Sequence, residues 1–328
     1  MSDNLSSASV TVSATEPLVL ANGIRGIPRV IPSRTPQHFS EIVSGTAQGA
    51  VTLNAQAFLP DGADGPVPMV LLVPGSTGIN TSHLKHAATL TCAGIGACVV
   101  DSFGARGITH TYHDQRLLTY SAGTYDVLAA ARTLMDWDAV DSARIGAMGP
   151  SRGGSAVLQA AMRPLADAVL GRQNGLRAVL PMYPSGVFQF FRPAVGATRI
   201  GIAMGDVDRW TLLSTVQGYA QAIRLSGGDV RVTVWPGAAH SFDREDVPIT
   251  YVEQGVESTL APVYYLSDLG YFCDSNGENE DYALTESALR DRIHQQYGRQ
   301  GCWLGSAPGQ PASFTQFLVE FFGSALLS

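Results

Sequence analysis

Residues 146–162 read GAMGPSRGGSAVLQAAM, and the role of Ser151 at their centre decides the fold. Ser151 is either a helix N-cap in a glycine-rich bend or a nucleophile on a strained turn between strand and helix. The glycines favour the strained turn. Gly149 and Gly153 flank Ser151 at G-x-S-x-G spacing, where side chains would obstruct a strand and helix packed closely together. Gly154 extends that room. ARIGAMG (143–149) is a short apolar run that predicts a buried strand, and SRGGSAVLQAAM opens a helix. The serine therefore falls where a strand ends and a helix begins. The helix N-terminus favours negative charge developing beside it.

The alternation continues on both sides. Upstream, AVTLNAQAFLP predicts an early strand and VPMVLLVPG (67–75) a buried one stopped by Pro-Gly. TSHLKHAATLTCAG (81–94) predicts a helix capped by Thr81 or Ser82. GACVVDSFG predicts another strand, and AGTYDVLAAARTLMDWDAV a long helix. Downstream, LRAVLPMYP, TRIGIAMGDVD and DVRVTVWPGAAH read as strands. LLSTVQGYAQAIRLSGG and ASFTQFLVEFFGSALL read as helices. Such β-α alternation predicts an α/β fold with a mostly parallel central sheet and helices on both faces. Residues 1–40, rich in Ser, Thr and Pro, predict an N-terminal arm. Residues 41–328 predict one domain, with an acidic, glycine-rich insertion at about 243–310.

The chain has 328 residues, 45% hydrophobic and 15% charged, with a net charge of −7. That composition describes a folded globule and argues against nucleic acid or an anionic membrane as partner. No apolar run is long enough to span a bilayer. The first residues lack the basic start and apolar core of a signal peptide, so a cytoplasmic protein is the default expectation. A secreted or periplasmic one follows if the chain begins at a mature terminus. A homodimer is compatible with the sequence. Cys92, Cys98, Cys273 and Cys302 show no C-x-x-C spacing, which speaks against a zinc or redox site. Cys92 and Cys98 read as core thiols, and a Cys273–Cys302 bridge is an open alternative.

A serine nucleophile needs a base, and the base needs an orienting carboxylate. In open parallel sheets such groups gather at the carboxyl ends of strands. GDVDRW places Asp206 and Asp208 at one strand end, and WPGAAHSFD places His240 at the next. Of seven histidines only His240 and His294 follow the aspartates, and His294 lies on a polar helix. An oxyanion hole needs two backbone N–H groups. Arg152, after the nucleophile, supplies one. VPGSTG supplies the other from Ser76, with Thr77 the next choice. Arg106 reads as a loop clamp or a substrate contact. Phe188, Phe190 and Phe191 read as pocket wall or as packing, and Trp210 and Phe242 flank the acid and the base.

LLVPGSTGIN, VVDSFGARG, GAMGPSRGG, GDVDRW and WPGAAHSFD together resemble the dienelactone hydrolase family of α/β-hydrolases, over about residues 50–242 and the terminal helix. By that resemblance Ser151 matches the nucleophile and His240 the base. The family's G-x-x-D spacing from Gly205 points to Asp208, with Asp206 as runner-up. Two departures stand out. Strict dienelactone hydrolases carry a cysteine nucleophile where this chain has Ser151, and Pro74 replaces a histidine in the oxyanion loop. The resemblance implies a serine carboxylic-ester hydrolase that needs no metal or organic cofactor. Such an enzyme is expected to act on a small-molecule ester or lactone, and from their positions along the chain Thr77, Trp210, Phe188 and Phe242 are the expected substrate contacts. Its rivals are an acyltransferase or peptidase with the same triad, and a non-catalytic binding protein on this fold.

Overall fold

The computed structural model describes residues 9–258, 260 and 262–328. Along the chain the first elements are β1 (Ile27–Ser33), α1 (Phe39–Val43), β2 (Val51–Phe58), β3 (Val67–Leu72) and α2 (Thr81–Cys92). Then come β4 (Gly96–Asp101), α3 (Tyr120–Met135), β5 (Val140–Pro150), α4 (Arg152–Ala160) and α5 (Arg163–Leu170). The next group is β6 (Ala178–Met182), β7 (Phe188–Phe190), β8 (Arg199–Gly205), α6 (Leu213–Leu225) and β9 (Val230–Trp235). The last are β10 (Thr250–Ser258), β11 (Tyr264–Leu266), β12 (Phe272–Cys273), β13 (Glu280–Asp281), α7 (Glu286–Tyr297), β14 (Gly298–Leu304) and α8 (Gln310–Leu326).

The main sheet has eight strands in the order β1-β2-β4-β3-β5-β6-β8-β9. From β4 to β9 every neighbouring pair is parallel, while β1 and β2 add an antiparallel edge. Every residue of β3 is buried, as expected of a central parallel strand covered on both faces. The crossovers between parallel strands place α3 and α4 together in one layer, while α2 and α8 pack in another. Phe322 of α8 lies directly against Gly146 of β5, so the last helix covers the strand that leads to Ser151.

The structure redraws two expectations. The arm expected over residues 1–40 has its first eight residues outside the described ones, and residues 9–26 run over the domain with Val12 and Leu20 buried. Residues 27–33, however, are a strand of the main sheet, pairing Pro28 with Gln56 and Pro32 with Thr52. Proline lacks a backbone donor, which hides a strand pattern but is tolerated on an edge. The cap of α2 is Asn80, not Thr81 or Ser82. Its side chain accepts from Ser82 N at 3.1 Å, so the helix begins one residue after it.

The insertion is built from elements of its own. β10 and β14 pair antiparallel, and β11, β12 and β13 join β7 in a four-stranded sheet. The cysteines are all free, with Cys273 and Cys302 on different sheets. Cys92 is exposed at the end of α2 rather than in the core; only Cys98 of that pair is buried. Among the described residues no helix is long and apolar enough to cross a membrane.

Candidate active site

β5 runs into Ser151, which adopts φ 53° and ψ −114° before α4 begins at Arg152. L-residues rarely occupy this backbone region, and the neighbouring glycines make it attainable. A Cβ on Gly149 would stand 2.8 Å from the backbone of Gly153, and one on Gly153 only 2.6 Å from Pro74 O. The turn is thus clamped between its own helix and the loop after β3. Ser151 N donates to Met182 O at 2.8 Å, tying the turn to β6.

Asp208 and His240 come from the loops after β8 and β9. Their side chains meet in a hydrogen bond of 2.7 Å between Asp208 Oδ2 and His240 Nδ1, with both residues buried. Asp208 also accepts from Trp210 N at 2.8 Å, Thr211 N at 3.0 Å and Thr211 Oγ1 at 3.0 Å. These donors fix the carboxylate and leave Oδ2 aimed at the imidazole. Asp206 faces solvent and accepts from Gly237 N at 2.7 Å, without a bond to His240. His294, on α7, does not border the cavity that holds His240 and lines a neighbouring cleft instead. Ser151 and His240 line one small cavity together with Ser76, Thr77 and Trp210. The Trp210 ring lies 5.2 Å from the His240 ring.

Three non-glycine residues have positive φ among the described residues: Ser151, Tyr183 and Ser241. All three line this cavity. Backbone strain of this kind persists only where the surroundings over-determine it, and it clusters at functional sites.

The dienelactone hydrolase sequence pattern matches residues 53–267. The chain belongs to the dienelactone hydrolase family. It is on that ground a hydrolase of the esterase type within the α/β-hydrolase superfamily. No curated protein matches the sequence. Similar solved structures include a Klebsiella pneumoniae protein assigned as a dienelactone hydrolase (20% identity, 67% of this chain and 91% of that one, TM-score 0.50). A dienelactone hydrolase-like promiscuous phosphotriesterase from metagenomic libraries aligns over 92% of this chain and 99% of its own (14% identity, TM-score 0.54). A protein designated m3DLH aligns over the same shares at 16% identity and TM-score 0.58. At these identities the likeness speaks for the fold.

Around this dienelactone hydrolase-family core, several expected contacts lie elsewhere. Phe188 is buried on β7, packed edge-on to Tyr120 and Phe272 at 5.7 and 5.1 Å, away from the Ser151 cavity. Phe242 is buried against Tyr183, Trp235 and Phe314. It follows the strained Ser241, so its ring turns back into the core. Arg106 forms a bidentate ion pair with buried Asp126 at 2.8 and 2.9 Å, and also donates to Ser102 O and Arg34 O. It holds the loop after β4 and makes no part of the cavity.

Other residues gain a place that the sequence did not signal. Gln115 bridges the two expected oxyanion donors. Its Nε2 donates to Ser76 Oγ at 3.0 Å and its Oε1 accepts from Arg152 Nε at 3.1 Å. The Arg152 guanidinium is buried, bonded to Leu118 O and Gln115 O, and burial lowers its pKa to about 10. Its charge anchors the 115–118 loop, which leaves the backbone N–H at the start of α4 as its contribution to the cleft. The Tyr183 ring meets His240 edge-on at 4.6 Å, and its hydroxyl donates to Asp243 at 2.5 Å. Asp243 also pairs with His86 at 3.0 Å. Burial pushes the Asp243 carboxyl up, but its bonds to His86 and Tyr183 outweigh that and leave it below the usual range. Arg244 is buried, lines the cavity, and leaves Nη2 without a hydrogen-bond partner.

The insertion braces both loops of the site. Gly305 N donates to His240 O at 2.7 Å, and Ser258 N donates to Arg209 O at 2.7 Å. On α7, Glu286 caps α3 by accepting from Tyr120 N at 2.6 Å and Ser121 N at 3.1 Å. Burial raises its pKa to about 7, against the opposing pull of those bonds.

Proposed function

We propose that this protein hydrolyses carboxylic esters through an acyl-enzyme on Ser151. His240 takes the proton of the Ser151 hydroxyl as that oxygen attacks the ester carbonyl, then delivers it to the departing alcohol oxygen. Asp208 holds His240 in the tautomer with Nδ1 protonated and stabilises the imidazolium. The N–H groups of Ser76 and Arg152 receive the developing oxyanion. Water, activated by His240, releases the acid. Thr77 and Trp210 contact the substrate.

The observation that carries this reading is the 2.7 Å bond between His240 Nδ1 and Asp208, in a cavity that the strained Ser151 also lines. A serine cap in an ordinary bend calls for neither the strain nor the aligned acid–base pair. The experiment is steady-state turnover of a short ester by Ser151→Ala, with folding checked by circular dichroism. Turnover is expected to disappear while the fold stays. A folded variant with activity near wild type would remove Ser151 from the mechanism.

A further inference from the structure

Ser151 stands between two spaces of very different size. One is the small cavity of about 40 Å³ that His240, Ser241, Arg244 and Leu304 line. The other is a cleft of about 510 Å³ bordered by Arg152, Tyr120 and α7 of the insertion, including Arg290 and Gln295. Ser76, Tyr112, Ser151 and Trp210 line both, so the nucleophile sits at the waist. His240 and Ser241 border only the small cavity, and Arg152 only the large cleft.

Resting on the ester-hydrolase reading, the chemistry assigns each half of the ester to a side. The leaving oxygen must come within about 3 Å of the imidazole that protonates it. The alcohol therefore departs on the His240 side, into the small cavity, and the acyl chain extends the other way, into the cleft. A volume of about 40 Å³ matches a group the size of methanol or ethanol, and a longer alkyl group would press on Leu304 and Arg244. The cleft has the volume of a ligand pocket for a bulky molecule. Its wall carries Arg290, Gln295, Gln300 and Asp114, donors and acceptors for a polar occupant. We infer that the substrates are small-alcohol esters, methyl or ethyl, of bulky, polar acids.

The reaction balances without a further reactant: the C–O bond to the small alcohol breaks, Ser151 Oγ takes the acyl group, and water replaces the serine. The proton lost by Ser151 leaves with the alcohol, and the proton from water restores the serine.

The test compares kcat/KM of the full-length protein for methyl galacturonate, hexyl galacturonate, 6-O-acetylgalactose and methyl acetate. Methyl galacturonate is expected to lead each of the others by at least about tenfold, a discrimination within reach of a few methylenes or unpaired polar groups. In Leu304→Ala, which widens the small cavity, the hexyl-to-methyl ratio is expected to rise by about tenfold. Any other substrate in the lead overturns the assignment of the two sides. So does an unchanged ratio in folded Leu304→Ala, or no cleavage of the set by protein that a small fluorophosphonate still labels at Ser151. No cleavage together with no label on folded protein refutes the ester-hydrolase reading itself.

Discussion

Replacing Asp208 by Asn isolates the part of the site that geometry distinguishes most sharply. Asp208 accepts four hydrogen bonds, two of them on Oδ2 from His240 Nδ1 at 2.7 Å and Thr211 Oγ1 at 3.0 Å. Asparagine can keep its carbonyl oxygen toward the backbone N–H groups of Trp210 and Thr211. Its amide then faces His240 with hydrogens, and the imidazole must shed its Nδ1 proton to accept. The proton moves to Nε2, so His240 donates toward Ser151 instead of accepting. The corresponding change in a serine protease costs about 10⁴ in kcat, or about 5 kcal/mol of barrier. Asp206→Asn is the control. That carboxylate is exposed, and its one bond, from Gly237 N, survives in the amide. A loss of no more than about twofold is expected there. The assay is kcat/KM on one short ester at neutral pH, with both variants shown folded. Comparable losses in the two variants, or a larger loss in Asp206→Asn, would refute the reasoning and put the acid elsewhere.

Two further predictions follow from packing and charge. In Gly153→Ala the new methyl would lie 2.6 Å from Pro74 O and 2.9 Å from Val73 O, so the oxyanion loop must move. Activity is expected to fall by about 10²-fold or more, with a lowered Tm, and a variant with wild-type kcat would contradict the close approach of α4 to that loop. Glu286 gives a pH dependence of stability. Its folded pKa, about 7, lies above the usual 4.5, so the folded state holds the proton to higher pH than the unfolded chain does. Stability from this group is present below about pH 4.5 and is lost as pH rises through 7, a change of about 3 kcal/mol. Thermal unfolding at pH 5 and pH 8 should show a smaller difference in Glu286→Gln than in wild type, and equal differences would remove the assignment.

What the sequence disclosed was whatever a local pattern specifies. GPSRGG announced the turn because only glycine fits the contacts of Gly149 and Gly153 with neighbouring backbone. VPMVLL announced a buried central strand because no polar side chain interrupts it. Asp206 and Asp208 looked alike because both stand at the same strand end. The family's G-x-x-D spacing from Gly205 favoured Asp208, and the turn supplies the physical reason, with its N–H groups of Trp210 and Thr211 aimed at that carboxylate. Phe188 and Phe242 were misplaced for a related reason. An aromatic beside a strand end can face either the cleft or the core, and here the φ of 65° at Ser241 precedes a ring turned inward. β1 was hidden by Pro28 and Pro32, acceptable only because the strand is an edge. Tyr183, Gln115 and Arg244 acquire their places through contacts with residues far along the chain, which no local spacing records.

The most direct measurement is intact-mass analysis and peptide mapping of the wild-type protein and Ser151→Ala after treatment with a small fluorophosphonate. A nucleophile at Ser151 requires one adduct on the wild-type protein, mapped to that residue, and none on the folded variant. No adduct on folded wild-type protein, or an adduct that persists in Ser151→Ala, would contradict it.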